Sequence, residues 1–206
     1  MVGDYLLAPD DALRAQEQAL QGCRRCKLCE GRHSIVFGSG HSEADLVVIG
    51  EGPGADEDAQ GKPFVGRAGQ LLTRMLESVK LSRDDVYICN AVKCRPPGNR
   101  NPEGDELAAC APFLAAQLAV IQPKVVLALG SVATQALLKT REPIGKLRGR
   151  VHPYGAAILV PTFHPAFLLR NPGPEYKRMA FEDLKLARRE YDARRTESRA
   201  SPSAPH

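Results

Sequence analysis

The sequence predicts an α/β protein with one domain and a central, mainly parallel sheet of four strands. Four short apolar runs rich in β-branched residues each end close to a Gly, Asn or Pro, and segments with a helical pattern lie between them. Strands that alternate with helices favour parallel pairing, with helices covering both faces of the sheet. The chain has 206 residues, 43% of them hydrophobic, which is enough for one hydrophobic core.

The first half of the chain supplies a helix, a strand and a second helix. Residues 10–22 form the first predicted helix, which Asp10 or Asp11 can cap. DLVVIG (45–50) is predicted to be a buried strand because its β-branched run ends at a glycine. Residues 68–80 are predicted to be helical because their apolar residues recur at helical spacing, namely Leu71, Leu72, Met75, Leu76 and Val79.

The next segments continue the alternation. DVYICNAV (85–92) is the second predicted strand, and residues 102–122 form a long predicted helix. KVVLALG (124–130) is the third strand, and residues 131–139 form a helix for which Ser131 is the expected cap.

The chain closes with a strand, a helix and a polar tail. AAILVP (156–161) is the fourth predicted strand, and residues 175–191 form a long charged helix. The Pro- and Ser-rich residues 194–206 are expected to be a disordered tail, so the domain is predicted to span residues 1–193. The loop 92–102 is rich in Gly, Pro and Arg and is expected on the surface.

The composition limits the class of protein. A formal net charge of +4 is a mild surplus that is compatible with a polyanionic partner. No apolar run reaches the length that crosses a bilayer and the N-terminus lacks a secretory pattern, so we expect a cytoplasmic protein without a membrane partner. Because thiols stay reduced in the cytoplasm, the six cysteines are expected to hold a metal or carry out redox chemistry.

Chemically capable groups follow the predicted strands. In open α/β sheets, ligands bind beyond the carboxyl ends of the strands. The four strands deliver GEGPG (50–54), Asn90, Gly130–Ser131 and FHPAF (163–167) to that edge. This convergence predicts a ligand site there.

The GEGPGA segment (50–55) formally matches a dinucleotide-binding fingerprint, but we reject that interpretation. The fingerprint requires a helix that opens immediately, whereas the helical pattern here resumes only near Ala68. The acidic run 56–58 would also repel phosphates. We therefore expect a tight turn against a small neutral ligand, with Glu51 displayed at the strand end; a purely structural turn is the alternative.

Three further residues are candidates for contact with that ligand. A neutral His164 imidazole can donate a hydrogen bond to developing negative charge, although a lone histidine is often structural. The amide of Asn90 can read a base edge or simply begin a turn. Phe64 is either an aromatic platform for a base or a core residue.

The cysteines predict a metal site. They comprise the run Cys23-x-x-Cys26-x-x-Cys29 and the separate Cys94 and Cys110, while a sixth lies inside the second predicted strand. Their spacing suits either zinc or an iron–sulfur cluster and does not decide between them.

Basic residues flank the same predicted edge in three runs. Several runs beside one ligand edge favour a nucleic acid backbone, although each alone is more typical of a solvated face. The runs contain Lys93, Arg95 and Arg100; Lys146, Arg148 and Arg150; and Arg170, Lys177 and Arg178.

Four segments of the chain together resemble a known family. GEGPG, GKPFVGRAGQLL, YICNAVKCRPPGNRNP and FHPAFLLRNP are similar, in order and spacing, to motifs of the iron–sulfur uracil-DNA glycosylases called family 4. The resemblance runs from about Gly22 to Tyr191. It implies a three-layer α/β/α sandwich and a DNA-repair enzyme that flips uracil out of DNA and hydrolyses its N-glycosidic bond.

The resemblance also implies roles for individual residues. Glu51 and His164 would be catalytic, while Gly52, Phe64 and Asn90 would bind the base. Arg148, Leu168 and Arg170 are the expected DNA contacts, and Leu168 is either the wedge that fills the vacated space or a helix residue that faces the core. A [4Fe–4S] cluster would be held by Cys23, Cys26, Cys94 and Cys110.

The expected partner is uracil-containing DNA, single- or double-stranded, bound by a monomer. The main alternative is a non-catalytic nucleic-acid-binding module stabilised by a metal, and an iron–sulfur electron carrier is a second. Activity on a uracil-containing oligonucleotide separates the enzyme from both.

Overall fold

A computed structural model describes residues 7–200, and for residues 196–200 it describes the backbone alone. A central sheet lies between two layers of helices. The strands in chain order are β1 (Ser39–Gly40), β2 (Leu46–Gly50), β3 (Tyr87–Asn90), β4 (Val125–Leu129), β5 (His152–Tyr154) and β6 (Ala157–Thr162). The α-helices of this part of the chain are α1 (Pro9–Leu20), α2 (Ala55–Gln60), α3 (Arg67–Ser78), α4 (Gly104–Ile121), α5 (Gly130–Leu138), α6 (Ile144–Leu147), α7 (Pro165–Arg170) and α8 (Pro174–Ala200).

The sheet has the order β1-β3-β2-β4-β6-β5. The four central strands are parallel, with Val48 of β2 beside Ile88 of β3 on one side and Leu127 of β4 on the other. Strands β1 and β5 pair antiparallel to β3 and β6 at the two edges. The carboxyl ends of β2, β3, β4 and β6 therefore meet at one edge of the sheet.

Alternating side chains of the parallel strands form two cores, one on each face. Successive residues of a strand point to opposite faces, so Leu46 and Val48 of β2 join one core while Val47 and Ile49 join the other. Helices α3, α7 and α8 cover the first face and helices α1, α4 and α5 cover the second. The expected three-layer α/β/α sandwich is confirmed.

The strand count differs from the prediction. Two edge strands of two and three residues, β1 and β5, bring the predicted four to six. They bury little and β5 contains a proline, so neither shows the β-branched, apolar pattern by which the central strands are recognised. All four central strands lie within one or two residues of their predicted bounds.

Three helices were not predicted, and two predicted termini move. Short α2 opens at Ala55, so the statement that helix resumes only near Ala68 is wrong; α6 and α7 also fell in predicted loops. Helix α5 begins one residue early, so Ser131 lies inside it and not at its cap. Helix α8 continues to Ala200, into the segment predicted as disordered tail, while residues 201–206 lie outside the described residues.

Helix α4 is long and apolar enough to cross a membrane by length and composition, contrary to the expectation that no segment reaches that limit. One such helix is weak evidence, because core helices pass the same test. Here Leu114 and Ile121 pack in the core of the second face, and the buried Gln117 donates to the Phe37 carbonyl oxygen at 3.0 Å. These contacts give α4 a packing role inside the domain.

Candidate active site and cysteine-lined cavity

A cavity of about 390 Å³ lies at the carboxyl edge of the parallel strands. It is formed by the loops that follow β2, β3 and β6, together with the start of α3. Seven of the residues singled out in the sequence line it: Glu51, Gly52, Phe64, Asn90, Arg100, His164 and Arg170. The structure thus brings together side chains from four separate segments.

Asn90 lies at the base of this cavity with an unmet hydrogen-bonding requirement. Its side chain is 1% exposed, and Oδ1 has no hydrogen-bond partner among the described residues. A buried polar atom without a partner costs about 1–3 kcal/mol. Gly50 allows the close packing here, because a Cβ at that position would lie 2.4 Å from Asn90 Oδ1 and 2.5 Å from Phe64 Cζ. The amide is available to a ligand.

Phe64 is held in an uncommon backbone conformation, with φ of 53°. Left-handed conformations are disfavoured for bulky residues and persist only where surrounding contacts fix them. Glu57 accepts from the Val65 N–H at 2.8 Å and from the next amide at 2.9 Å, while Arg83 donates to the carbonyl oxygens of Phe64 and Pro63 at 3.1 and 2.8 Å. The loop is clamped on both sides of Phe64.

His164 faces Phe64, with ring centroids 5.7 Å apart and planes tilted by 32°. Its Nδ1 accepts a hydrogen bond from the Ala166 N–H at 3.1 Å, so a neutral ring carries its proton on Nε2. Burial, and secondarily the positive charge of Arg170, lower the pKa of His164 to about 4. Gly130, at φ of 85°, permits this placement, since a Cβ there would lie 2.9 Å from the His164 Cβ. The site presents a neutral N–H donor.

Glu51 and Arg170 are the opposite charges of the cavity. Burial raises the pKa of Glu51 above its ordinary value of 4.5, and the positive charge of Arg170 opposes this shift. Arg170 itself is exposed at the end of α7. A half-buried carboxylate and an exposed guanidinium therefore share one cavity with a neutral imidazole.

Two of the expected DNA contacts are placed elsewhere. Arg148 binds the buried Asp183 through two hydrogen bonds of 2.9 and 2.7 Å and also donates to the Met179 carbonyl oxygen, so its guanidinium is occupied inside the fold. Leu168 is 3% exposed and belongs to the core beneath α7, so it cannot reach into DNA from this position. The neighbouring Leu169 is 37% exposed. In this structure, packing on α8 and the sheet takes up the two side chains, and their assignment as DNA contacts stays a prediction.

The basic run after β3 is also not a free surface. Lys93 is 1% exposed, contrary to its expected place in a surface loop, and Arg100 forms a two-bond ion pair with Glu106 at 2.7 and 2.8 Å. Arg67, which the sequence analysis did not single out, lines the cavity, is exposed and has no ion-pair partner among the described residues. The free cations at the cavity are thus Arg67 and Arg170.

Two residues that organise the site escaped prediction. Glu57 could have been found, because it stands three residues after Gly54, the spacing of a capping box, and its carboxylate accepts from the Gly54 N–H at 3.1 Å; Gly54 has no side chain to complete the box. Arg83 carries no such signal, since its partners are backbone carbonyls nineteen and twenty positions earlier.

A second, much smaller cavity lies where the chain turns after α1. The segment Asn90–Cys94 borders both cavities, because Asn90 lines the ligand cavity whereas Lys93 and Cys94 line this one. Its walls carry five cysteines together with basic and aromatic side chains; the cysteines are Cys23, Cys26, Cys29, Cys94 and Cys110. The sixth, Cys89, is buried within β3 and packs in the core of the second face.

The donor set of this cavity suits a metal centre. Burial raises the pKa of Cys94 to about 11, and the neighbouring Cys110 and Cys26 add to the shift, so several thiolates here require a positive centre. Arg32 donates to Cys94 Sγ and the Lys93 N–H donates to Cys110 Sγ, both at 3.3 Å, as outer contacts of ligating sulfurs commonly do.

The cysteines are not arranged for a single ion. Within residues 7–200, no three Cys, His, Asp or Glu side chains are grouped closely enough to hold one metal ion. Tetrahedral zinc would bring its sulfur ligands to within ~3.8 Å of one another. The five cysteines that line one cavity are enough to supply the four sulfur ligands of an iron–sulfur cluster.

Comparison with known proteins agrees with this geometry. A sequence model of the "Uracil DNA glycosylase superfamily" matches residues 37–185. A type-4 uracil-DNA glycosylase of Thermotoga maritima is 42% identical over 87% of this chain and 94% of its own length. A type-4 uracil-DNA glycosylase of Saccharolobus solfataricus is 50% identical over 73% of this chain and 74% of its own length. A type-5 uracil-DNA glycosylase of Thermus thermophilus is 30% identical over 84% of this chain and 95% of its own length.

The family match covers the whole lining of the ligand cavity and, in the cysteine-lined cavity, the lining residues from Lys93 onward. The two type-4 relatives cover 87% and 73% of the chain. The chain belongs to the type-4 uracil-DNA glycosylases of the uracil-DNA glycosylase superfamily.

Proposed function

We propose that this protein removes uracil from DNA by hydrolysing the N-glycosidic bond, leaving an abasic site. One observation carries the proposal: Glu51, Phe64, Asn90 and His164, from four separate segments, line a single cavity. An aromatic face, an unpartnered amide, a neutral N–H donor and a carboxylate are the groups that binding and detaching a pyrimidine require.

Base recognition is assigned to Phe64 and Asn90. The uracil must leave the duplex stack to reach the cavity, at a cost of a few kcal/mol. Its ring stacks on Phe64, and its polar edge satisfies the buried Asn90 amide, whose Oδ1 otherwise has no partner. Cytosine presents a different pattern of donors and acceptors on that edge, so it would leave buried polar atoms unpaired.

Bond cleavage is assigned to His164 and Glu51. As the bond breaks, its electron pair leaves with the base, so the uracil becomes an anion and the sugar becomes oxocarbenium-like. The Nε2–H of neutral His164 donates to the base oxygen on which this charge develops, and the Gly52 backbone lies at the same wall. The Glu51 carboxylate lies on the sugar side, where it accepts a hydrogen bond from the attacking water.

DNA contacts are assigned to the free groups at the rim. Arg170 and Arg67 are exposed at the cavity and suit phosphates. Leu169, exposed next to Arg170, replaces Leu168 as the apolar side chain that fills the space left by the flipped nucleotide.

The second cavity is assigned to a [4Fe–4S] cluster held by Cys23, Cys26, Cys94 and Cys110. When bound, the cluster supplies a cross-link between the segment after α1, the loop after β3 and helix α4. The four residues have no part in bond cleavage, because Asn90–Cys94 stands between them and the ligand cavity. Cys29 lines the same cavity as a spare thiol.

The wider setting follows from this activity. The protein acts as a monomer in the cytoplasm, on single- or double-stranded DNA containing uracil, and without a membrane partner.

The direct test is a glycosylase assay on an oligonucleotide with one uracil. Purified protein is incubated with the oligonucleotide, and alkali then cleaves the strand at any abasic site. We expect cleavage at the uracil position and none with a thymine control. Binding without cleavage would instead support a nucleic-acid-binding module, and the visible spectrum with iron and zinc analysis would identify its metal.

A further inference from the structure

Lys93 is the largest fully buried side chain of the described chain, and none of the roles above uses it. Its side chain is 1% exposed, which is rare for lysine unless the ammonium group has partners. It follows β3 by three residues and directly precedes Cys94. A charged group in the wall between the two cavities needs a reason to be there.

The Lys93 ammonium group folds back over its own turn. Nζ donates to the backbone carbonyl oxygen of Asn90 at 2.9 Å and to Oε1 of Gln117 at 2.5 Å. Gln117 is itself fixed, because its Nε2 donates to the Phe37 carbonyl oxygen at 3.0 Å and to the Tyr87 hydroxyl at 3.2 Å. The ammonium group therefore ties the end of β3 to the middle of α4.

The backbone of the same residue faces the cysteine-lined cavity. The Lys93 N–H donates to Cys110 Sγ at 3.3 Å, and the Lys93 carbonyl oxygen accepts from the Val36 N–H at 2.8 Å. The side chain thus contacts the residue assigned to uracil recognition, while the main chain contacts a sulfur assigned to the cluster.

We propose that Lys93 is a positioning residue that fixes Asn90 for recognition of the base by anchoring its carbonyl group to Gln117 of α4 and to the cysteine-bearing wall. This rests on the proposed function, because Asn90 matters only if it reads uracil. Asn90 ends its strand, so its carbonyl lacks a strand partner beyond it and Lys93 supplies the missing donor. Without that donor, the amide on the other side of the same residue loses its fixed direction.

Lys93→Met tests this, because it keeps a similar length and the backbone bond to Cys110 while removing both ammonium bonds. The readout is the inhibition constant of free uracil, together with the ratio of single-turnover rates on uracil and cytosine oligonucleotides. We expect uracil to bind about tenfold more weakly, because a tenfold change corresponds to roughly one hydrogen bond. We also expect the ratio of the uracil rate to the cytosine rate to fall. Absorbance near 400 nm and affinity for undamaged DNA should stay at wild-type levels.

Arg188→Met is the matched control. Arg188 donates to the carbonyl oxygens of Val79 and Lys80 and to the Asp192 carboxylate, and it lines neither cavity. We expect it to lower thermal stability without changing the inhibition constant. Equal weakening by both variants would assign the effect to stability and overturn the proposal.

A second variant covers the case in which Lys93→Met does not fold. Gln117→Met removes one anchor of the ammonium group and leaves the bond to Asn90, so uracil should bind more weakly by a smaller factor. Wild-type inhibition by uracil in either folded variant would contradict the proposal. If the wild-type protein did not excise uracil, the proposed function itself would be rejected. The wild-type activity is therefore measured first, so the two failures can be told apart.

Discussion

The two cavities of this protein share the wall Asn90–Cys94 but treat their polar groups in opposite ways. In the cysteine-lined cavity, Cys94 and Cys110 already accept hydrogen bonds from Arg32 and from the Lys93 backbone. In the ligand cavity, the buried Asn90 Oδ1 has no partner among the described residues. One region is arranged to hold a permanent group and the other to leave capacity for a transient one.

The arginines repeat this contrast. Arg148 and Arg100 are each committed to a carboxylate that is 0% exposed, Asp183 and Glu106. Arg170, at the rim of the ligand cavity, is exposed. Side chains with built-in partners stabilise the fold, and side chains without them are the ones to expect in binding. Six experiments break or sharpen this division.

The largest effect is expected in the permanent site. Cys94→Ala removes one assigned ligand, so the segments around it lose their cross-link and the protein should be poorly folded, with reduced absorbance near 400 nm. Cys89→Ala is the control, because Cys89 packs in the sheet core and lines neither cavity. A stable, colourless and fully active Cys94→Ala protein would remove the basis for a permanent group.

In the transient site, His164→Ala should have the largest effect on rate. The variant lacks the neutral donor for the departing base, and losing one preorganised donor costs roughly 10²–10³-fold in rate. Single-turnover excision measures this, with DNA affinity measured alongside and expected to be nearly unchanged. A wild-type rate would refute the role of His164.

Asn90→Asp should come next. The substitution keeps the shape of the side chain and replaces a donor with an acceptor, so the match to the uracil edge is lost. We expect excision of uracil to slow by at least about tenfold, and the preference for uracil over cytosine to shrink. Asn99→Asp is the control at the rim of the same cavity. Equal effects from the two variants would mean that charge, and not base recognition, is responsible.

The pH dependence is expected to be set by Glu51. Activity requires its carboxylate and the neutral His164, so both groups reduce the rate as pH falls. Glu51 protonates first, since burial raises its pKa above 4.5 whereas the pKa of His164 is lowered to about 4. The Glu51→Gln variant should therefore be slower than the wild type, and its rate should stay constant as the pH falls to about 4. If the rate of that variant still fell at low pH as the wild-type rate does, a group other than Glu51 would be responsible.

His164 also links stability to pH. Its pKa is about 4 in the fold against an ordinary 6.5, so between these values the unfolded chain binds more protons. This contribution lowers the free energy of unfolding as pH falls from about 6.5 to about 4, and it should vanish in His164→Ala.

The smallest effect on DNA binding is expected from the arginines, where the exposed Arg170 and the ion-paired Arg148 should behave differently. Arg170→Ala should weaken DNA binding and reduce the slope of log affinity against log salt by about one, as expected for one lost phosphate contact. Arg148→Ala should leave that slope unchanged but lower the free energy of unfolding by about 3–5 kcal/mol, because it strands the buried Asp183 carboxylate. The reverse pattern would mean that Arg148 contacts DNA.

The sequence predicted what depends on local pattern. The four central strands follow from their β-branched runs, and the meeting of Glu51, Asn90 and His164 follows from parallel strands ending at one edge. The edge strands β1 and β5 were missed because segments of two and three residues carry no periodicity.

The remaining errors come from tertiary packing. Whether Arg148 meets solvent depends on Asp183, thirty-five positions away, and whether Leu168 or Leu169 is exposed depends on the rotation of α7. Lys93 looked like a surface cation because local sequence does not show that helix α4, which carries its partner Gln117, packs against the loop after β3. Local composition cannot report such partners.

The most direct test is a crystal structure of the metal-loaded protein with free uracil. The account predicts one pyrimidine stacked on Phe64, its polar edge on the Asn90 amide and one of its carbonyl oxygens within hydrogen-bond distance of His164 Nε2. Uracil bound away from these three side chains, or an empty cavity at saturating uracil, would contradict it.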